Sequence, residues 1–207
     1  MSATRPPSMW LNDHPVDAIV IGGSAGVLEV LRVVLAMLPA NLTIPVIVVV
    51  HLPPRSHSLA YGAVQDVSPL PMSQADDKEP LEGGRVYFAS PGYHLLIEAD
   101  RCAALSIDEP VYYSRPSIDV LFESASDVYR DALLGILLTG ASPDGATGLQ
   151  TIHDRGGLTI VQRPDTCEAQ AMPLAALDLF APDYVLAPTE IGSLVATLCV
   201  RNSMTSP

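Results

Sequence analysis

Three separated segments of this sequence carry side chains that could together hydrolyse an ester: Ser24, His51 and Asp144. A free serine hydroxyl is a poor nucleophile at neutral pH and needs an adjacent base. Imidazole suits that task because its pKa lies near neutrality. An aspartate that accepts the Nδ1 proton of the histidine would orient the ring. These residue types indicate a Ser-His-Asp hydrolase.

The glycines around Ser24, in the run Gly22-Gly23-Ser24-Ala25-Gly26, permit a sharp turn from strand to helix. In such a turn the hydroxyl projects from the sheet, and the amides at the helix start can hold an oxyanion. A phosphate-binding glycine loop explains the same run equally well. A dinucleotide fingerprint is not met, because Ile21 stands two positions before Gly23 and His51 replaces the expected acid. On this loop alone, esterase and nucleotide-binding module both stay open.

The histidine and the aspartate also have ordinary interpretations. His51 could cap a strand through backbone hydrogen bonds, and Asp144 could cap the helix that follows it. The chain order Ser, His, Asp differs from the Ser, Asp, His order of α/β-hydrolases, so that class is disfavoured.

Short apolar runs and helical periodicity predict the elements that must position these residues. Strands are predicted at 17–21, 45–50, 85–89, 133–138, 158–162 and 184–186, and an antiparallel hairpin at 94–98 and 103–107. Helices are predicted at 27–38, 117–131, from after Gly148 to about 155, at 173–179 and at 189–200. This alternation predicts a doubly wound, mainly parallel α/β sheet with helices on both faces. The carboxyl ends of its strands would bring the three segments to one edge.

The composition limits the other classes of function. The chain has 207 residues with 48% hydrophobic, which fits one folded domain. We expect a flexible arm at 1–16, a catalytic domain at 17–200 and a frayed tail at 201–207. A formal charge of −12 argues against nucleic acid as a partner. No apolar run is long enough for membrane insertion, and three distant cysteines favour neither disulfides nor a metal site.

Four motifs in order carry a resemblance to a known family, and a fifth stretch supports it. They are GGSAG at 22–26, HLPP at 51–54, SRPSIDVLF at 114–122, LLTGASPDGATG at 137–148, and GGLTIVQ at 156–162 followed by Cys167 and Met172-Pro173. Over residues 17–187 the chain resembles the catalytic domain of the CheB family of protein-glutamate methylesterases.

This resemblance implies a cytoplasmic enzyme without cofactor or metal that demethylates glutamates, and deamidates glutamines, on the cytoplasmic domain of methyl-accepting chemoreceptors. It implies Ser24 as nucleophile, His51 as base and Asp144 as orienting acid. The amides of Ala141 and Ala25 would hold the oxyanion.

The same resemblance implies supporting roles elsewhere. Arg115 and Ser117 would line the cleft or hold the Asp144 loop, with a structural arginine paired to nearby acids as the alternative. Met172 would shape the wall of the site, or simply pack in the core.

Several positions depart from the family pattern. They are Val27, Ala141, Pro143 and Gln170-Ala171. The family's receiver domain is not found in this sequence. We expect either an excised catalytic domain or a stand-alone member that is regulated in another way, for which a separate regulatory or receiver partner is a candidate. A non-catalytic interaction domain that kept the fold is the third alternative, against which the intact Ser24, His51 and Asp144 speak.

Overall fold

The computed structural model describes residues 16–51 and 62–202. The strands are β1 (Ala18–Gly23), β2 (Val46–Val50), β3 (Met72–Gln74), β4 (Val86–Phe88), β5 (His94–Ile97), β6 (Ala103–Ser106), β7 (Leu133–Leu137), β8 (Leu158–Gln162) and β9 (Tyr184–Leu186). The α-helices are α1 (Val27–Ala36), α2 (Ile118–Tyr129), α3 (Ala146–Asp154), α4 (Ala171–Leu179) and α5 (Pro188–Asn202). Short 3₁₀ turns lie at Arg130–Ala132 and Pro164–Thr166.

Within the described ranges, seven strands form one parallel sheet in the order β3-β4-β2-β1-β7-β8-β9. The chain runs outward from β1 through β2 and β4, then returns to the other side of β1 with β7. Such a reversal leaves a crevice at the carboxyl ends of the central strands. β5 and β6 form a separate antiparallel hairpin. The predicted fold class and the hairpin are confirmed.

The two faces of the sheet are covered by separate apolar clusters. The first cluster packs β1 and β2 against α1 and α5, through side chains such as Leu31, Leu35 and Ile191. The second packs the opposite face against α2, α3, α4 and the hairpin, through side chains such as Phe122 and Leu149. Burial on both faces explains why the central strands are uninterrupted apolar runs rather than alternating ones.

The predicted elements differ from the structure in a few places. β3, with the sequence Met-Ser-Gln, was not predicted. The first helix ends at Ala36, slightly before the expected position. The predicted arm lies outside the described residues except for Val16. Helix α5 reaches Asn202, and the remainder of the predicted tail lies outside them too. No helix in the described ranges is both long and apolar enough to cross a membrane.

Candidate active site

Ser24 and His51 lie side by side at the carboxyl ends of β1 and β2. The parallel register pairs Gly23 with Val50, so the next residue of each strand is the candidate nucleophile or base. The His51 amide donates to Gly23 O at 3.0 Å, and the Ser24 amide donates to Thr139 O at 2.8 Å. Both residues therefore continue the sheet's hydrogen bonding, with roughly 5 Å between neighbouring backbones.

The side chains of Ser24 and His51 fall on the same face of the sheet. Successive residues of a strand point to opposite faces. Ile47 and Val49 belong to the cluster under α2, and His51 follows in the same alternation. On β1, a Cβ at Gly22 would meet Ile118 of α2, so the alternation also directs Ser24 toward α2. The first two of the three predicted residues are thus brought together.

His51 bonds directly to Asp144. Its Nε2 lies 2.7 Å from Asp144 Oδ2, and the side chain of His51 is only 10% exposed. This corrects one expectation from the sequence, which assigned the aspartate to Nδ1. The reason is that the ring meets the amino end of α2 with its Nε2 edge. An ionised Asp144 fixes the proton on Nε2 and leaves the lone pair on Nδ1.

Asp144 is fully buried yet kept ionised by its neighbours. Oδ2 also accepts from the Ile118 amide at 2.7 Å, and Oδ1 accepts from the Ser117 hydroxyl at 2.8 Å and the Asp119 amide at 3.0 Å. Burial by itself would raise the pKa of this carboxyl. The hydrogen bonds from His51 and the two amides outweigh burial and hold the pKa below its usual value. The amino end of α2 therefore acts as an anion site.

In the described residues, the hydroxyl that forms a hydrogen bond with the free nitrogen of His51 belongs to Ser114. Ser114 Oγ lies 3.4 Å from Nδ1, which is a long hydrogen bond. The Ser24 hydroxyl makes no hydrogen bond to any residue in the described ranges. The structure thus places Ser24 beside His51 but shows the Ser114 hydroxyl at Nδ1.

The two predicted oxyanion amides are uncommitted. Neither the Ala25 amide nor the Ala141 amide donates to another residue in the part of the chain described, and both residues are exposed. Their loops are held together by Thr139, whose hydroxyl lies 2.9 Å from Ala25 O and accepts from the Ala169 amide at 3.0 Å. These amides are available to bind an anion at the edge where Ser24 lies.

The scaffold beneath this edge was not predicted. Gln162, at the end of β8, is fully buried and accepts from the Thr139 amide at 2.9 Å. Its Nε2 donates to Thr166 O at 3.0 Å. The glutamine at the end of the apolar run LTIVQ was the available signal, because a side-chain amide buried there must be paired.

Arg115 does not hold the Asp144 loop. Its Nη1 donates to the backbone carbonyls of Ile107 (2.8 Å) and Asp108 (3.1 Å), and it forms no ion pair with an acid in the described ranges. In the described ranges its hydrogen-bond partners are therefore carbonyls of the loop after β6, and neither the Asp144 loop nor a nearby acid. Its place in the lining of the cleft stays a prediction. Ser117 does hold Asp144, as described above.

Met172 packs in the core beside Gly140, and its role in the wall of the site stays a prediction. It is fully buried, and its amide donates to Gly140 O at 2.9 Å. A Cβ at Gly140 would lie 2.6 Å from its sulfur. The side chain thus closes the floor under the loop that carries Ala141.

His94 is a further site-supporting residue that sequence reasoning missed. It is 1% exposed, its Nδ1 accepts from the Ser117 amide at 3.1 Å, and its Nε2 bonds to Glu109 O at 3.1 Å. These contacts require a neutral ring with the proton on Nε2. A histidine at the start of a strand does not by itself indicate a functional role, and the role of His94 becomes visible only from its contacts with Ser117 and Glu109.

The described ranges contain no group of three or more His, Cys, Asp or Glu side chains able to hold a metal ion. The HLPP motif beyond His51 lies outside the described residues.

Glu168 bears on the alternative that the glycine run at 22–26 binds a phosphate. A Cβ at Gly26 would lie 2.8 Å from Glu168 Oε2, so a carboxylate faces the glycine loop where a phosphate would bind.

Comparison with known proteins identifies the family of this chain. A protein of Leptospira interrogans, provisionally named protein-glutamate methylesterase/protein-glutamine glutaminase, is 44% identical over 186 residues, covering 90% of this chain and 96% of the relative. The protein-glutamate methylesterase/protein-glutamine glutaminase of Symbiobacterium thermophilum is 35% identical over 181 residues, and this chain spans 50% of its length.

A solved structure supports the same relationship. The CheB methylesterase catalytic domain of Thermotoga maritima superposes with a TM-score of 0.85 at 28% identity, covering 88% of this chain and 98% of that domain. The sequence profile of the CheB methylesterases matches residues 19–195. This chain therefore belongs to the CheB methylesterase family of hydrolases.

Proposed function

We propose that this protein hydrolyses methyl esters of glutamate side chains on the cytoplasmic domains of methyl-accepting chemoreceptors, with Ser24, His51 and Asp144 as its triad. The observation that carries the proposal is the 2.7 Å bond from His51 Nε2 to Asp144. It leaves the lone pair of Nδ1 as a base on the face that Ser24 shares. The names of the relatives support the substrate class.

The reaction follows from that arrangement. His51 Nδ1 takes the Ser24 proton while Oγ bonds to the ester carbonyl carbon. The amides of Ala25 and Ala141 stabilise the oxyanion. The bond to the methoxy oxygen then breaks, and methanol leaves with the proton from Nδ1. Water, deprotonated by Nδ1, attacks the acyl-enzyme, and Ser24 Oγ leaves with that proton. The product is the glutamic acid side chain, which releases its remaining proton to solvent to give the carboxylate. A glutamine side chain would react in the same way with ammonia as the leaving group.

Asp144 supports both halves of this cycle. Its charge stabilises the imidazolium that exists after each proton transfer to His51. The amino end of α2 keeps Asp144 ionised, so the proposed reaction needs no further group to stabilise the charge of this carboxylate. A cytoplasmic location belongs to the same proposal.

The test measures methanol release from methylated receptor by wild type, Ser24→Ala, His51→Ala and the matched control Ser193→Ala. Ser193 lies on α5, and its hydroxyl donates to the Thr189 carbonyl at 2.9 Å. We expect losses of roughly 10⁴-fold or more for the first two variants and none for the control. Wild-type activity in Ser24→Ala would refute the proposed nucleophile.

Ser114 is tested in a separate experiment, because its hydroxyl lies within hydrogen-bond distance of His51 Nδ1. A fluorophosphonate probe forms a covalent bond with an activated serine. We expect labelling of wild type and Ser114→Ala, and none of Ser24→Ala. Labelling that disappears in Ser114→Ala and persists in Ser24→Ala would transfer the role of nucleophile to Ser114.

A further inference from the structure

A second buried carboxylate, Asp119, lies directly behind Asp144 and takes no part in the proposed proton transfers. Asp119 is in the first turn of α2 and is 6% exposed. Its amide donates to Asp144 Oδ1 at 3.0 Å. Its own Oδ1 accepts from the amides of Gly145 at 2.9 Å and Gly148 at 2.7 Å.

The two aspartates cap each other's helices. Asp144, just before α3, binds the first-turn amides of α2. Asp119, on α2, binds the amides at the start of α3, including that of Gly145, the residue next to Asp144. Helix starts have unpaired amides, and a carboxylate both pairs them and complements the helix dipole. Because the exchange is reciprocal, neither carboxylate can shift without breaking bonds to the opposite helix.

Gly145 allows the two segments to approach this closely. Its φ is 96°, a left-handed conformation that favours glycine. A Cβ there would lie 2.6 Å from Ile118 Cγ2. Asp119 therefore secures the loop that carries Asp144 at a place where the packing tolerates no additional atom.

We propose that Asp119 is a positioning residue for Asp144 and that its negative charge tunes the pH at which His51 can act as a base. The inference rests on the function proposed above. The acceptor oxygen and the charge of Asp119 contribute separately. The oxygen Oδ1 holds the amides of Gly145 and Gly148, and the charge acts through space on the Asp144–His51 pair.

The groups that face Asp119 are mostly acidic. Asp144 approaches from the loop before α3, Glu123 from the next turn of α2, and His51 lies beyond Asp144 at the end of β2. Burial first, and then the charges of Asp144 and Glu123, raise the pKa of Asp119 to about 7 against the lowering effect of the two amide bonds. Asp119 thus changes charge within the pH range where a histidine base works. When ionised, it favours the protonated imidazolium.

The experiment measures kcat and KM for methanol release from pH 5 to 9. Wild type is compared with Asp119→Asn, Asp119→Ala and the matched control Asp131→Asn. Asp131 is an exposed acid in the 3₁₀ turn after α2. Asparagine keeps an oxygen for the two glycine amides and removes only the charge, whereas alanine removes both.

We expect Asp119→Asn to retain kcat at high pH within about threefold, with the acid limb of its profile moved to lower pH by roughly half a unit or more. Asp119→Ala should lose about 10- to 100-fold in kcat with unchanged KM, because Asp144 is no longer held in place. Asp131→Asn should match wild type, since an exposed charge is screened.

Two results would overturn the inference. One is an Asp119→Asn profile that superposes on that of wild type, and the other is a folded Asp119→Ala protein with wild-type kcat. If alanine does not fold, the asparagine profile still decides. Failure of the proposed function is distinguishable, because wild type would then release no methanol or Ser24→Ala would release as much as wild type.

Discussion

Replacing Asp144 by asparagine separates the shape of this carboxylate from its charge. Two donors face Oδ2 at 2.7 Å each, His51 Nε2 and the Ile118 amide. The two facing Oδ1 are farther away, the Ser117 hydroxyl at 2.8 Å and the Asp119 amide at 3.0 Å. The asparagine NH₂ group must replace one of these oxygens.

The contacts favour the NH₂ group at the Oδ1 position. There the Ser117 hydroxyl can rotate to accept, and the opposing Asp119 amide lies at the longer distance. At the Oδ2 position the group would oppose the Ile118 amide at 2.7 Å and force His51 into the other tautomer. We therefore expect the side-chain oxygen of asparagine to face His51 and to keep the proton on Nε2.

This orientation sets the size of the effects. One buried amide loses its acceptor, at about 1–3 kcal/mol, and a charge leaves a helix start, at about 0.3–1 kcal/mol. The free energy of unfolding should fall by about 1–4 kcal/mol. Because the tautomer is kept and only the charge is lost, kcat should fall about 10²-fold. The wrong tautomer costs about 10⁴-fold in a serine protease.

The assay combines kcat for methanol release, urea unfolding, and ¹⁵N shifts of the imidazole that report which nitrogen carries the proton. Asp183→Asn is the matched control, because Asp183 accepts from the amide and hydroxyl of Thr159, both at 2.8 Å, away from the site. It should lose stability and keep kcat. A 10⁴-fold loss in Asp144→Asn with the proton on Nδ1 would refute the reasoning.

Three further predictions concern the surroundings of the triad. Gly22→Ala places a methyl group 2.2 Å from Ile118 Cγ2 and should lower the free energy of unfolding in urea by about 1–3 kcal/mol, together with part of kcat. Gly62→Ala should change neither, because no atom of the described residues lies within 4 Å of its Cβ. Asp119 holds a proton in the native state up to about pH 7 but loses it near pH 4 when unfolded, so its contribution to the free energy of unfolding should fall as pH rises through that window. Urea titrations at pH 4.5 and 7.5 should show a decline in wild type that is reduced in Asp119→Asn; equal declines would contradict it. Gln162→Ala leaves the buried Thr139 amide without an acceptor and should lower the free energy of unfolding by about 1–3 kcal/mol, a prediction that an unchanged denaturation midpoint would refute.

The sequence predicted the sheet wherever strands are buried on both faces. The run at 46–50 is wholly buried and rich in β-branched residues, which is the strongest strand signal. β3 was missed because an edge strand of three half-exposed residues has neither an apolar run nor alternation. Tertiary pairing with β4, rather than local preference, makes it a strand.

The candidate triad was predictable because each member follows a buried strand. The order of the strands in the sheet is enough to place Ser24, His51 and the Thr139–Asp144 loop at one edge. Which nitrogen of His51 meets the aspartate was not predictable. It depends on how α2 packs over the sheet, and no local pattern encodes that packing. The same holds for Arg115, whose partners come from the loop after the hairpin.

Sequence reasoning missed three residues that support the site, because each has a more ordinary structural explanation. An acid such as Asp119 in the first turn of a helix is common, since it complements the helix dipole. Its exchange of caps with Asp144 joins positions 25 residues apart, and only the packing of α2 against α3 reveals it. His94 and Gln162 likewise become meaningful once Ser117 and Thr139 are seen to depend on them.

The resting contact of His51 is consistent with a base that is ready to act. A hydrogen bond of 3.4 Å from Ser114 is too long to contribute much, so moving Nδ1 from Ser114 to Ser24 costs little. The 2.7 Å bond on the other side of the ring is short and charge-assisted, and it holds Nε2 throughout. The ring is thus anchored on the Asp144 side and weakly held on the side where the proton moves. That asymmetry is what a general base shared between serine, substrate and water requires.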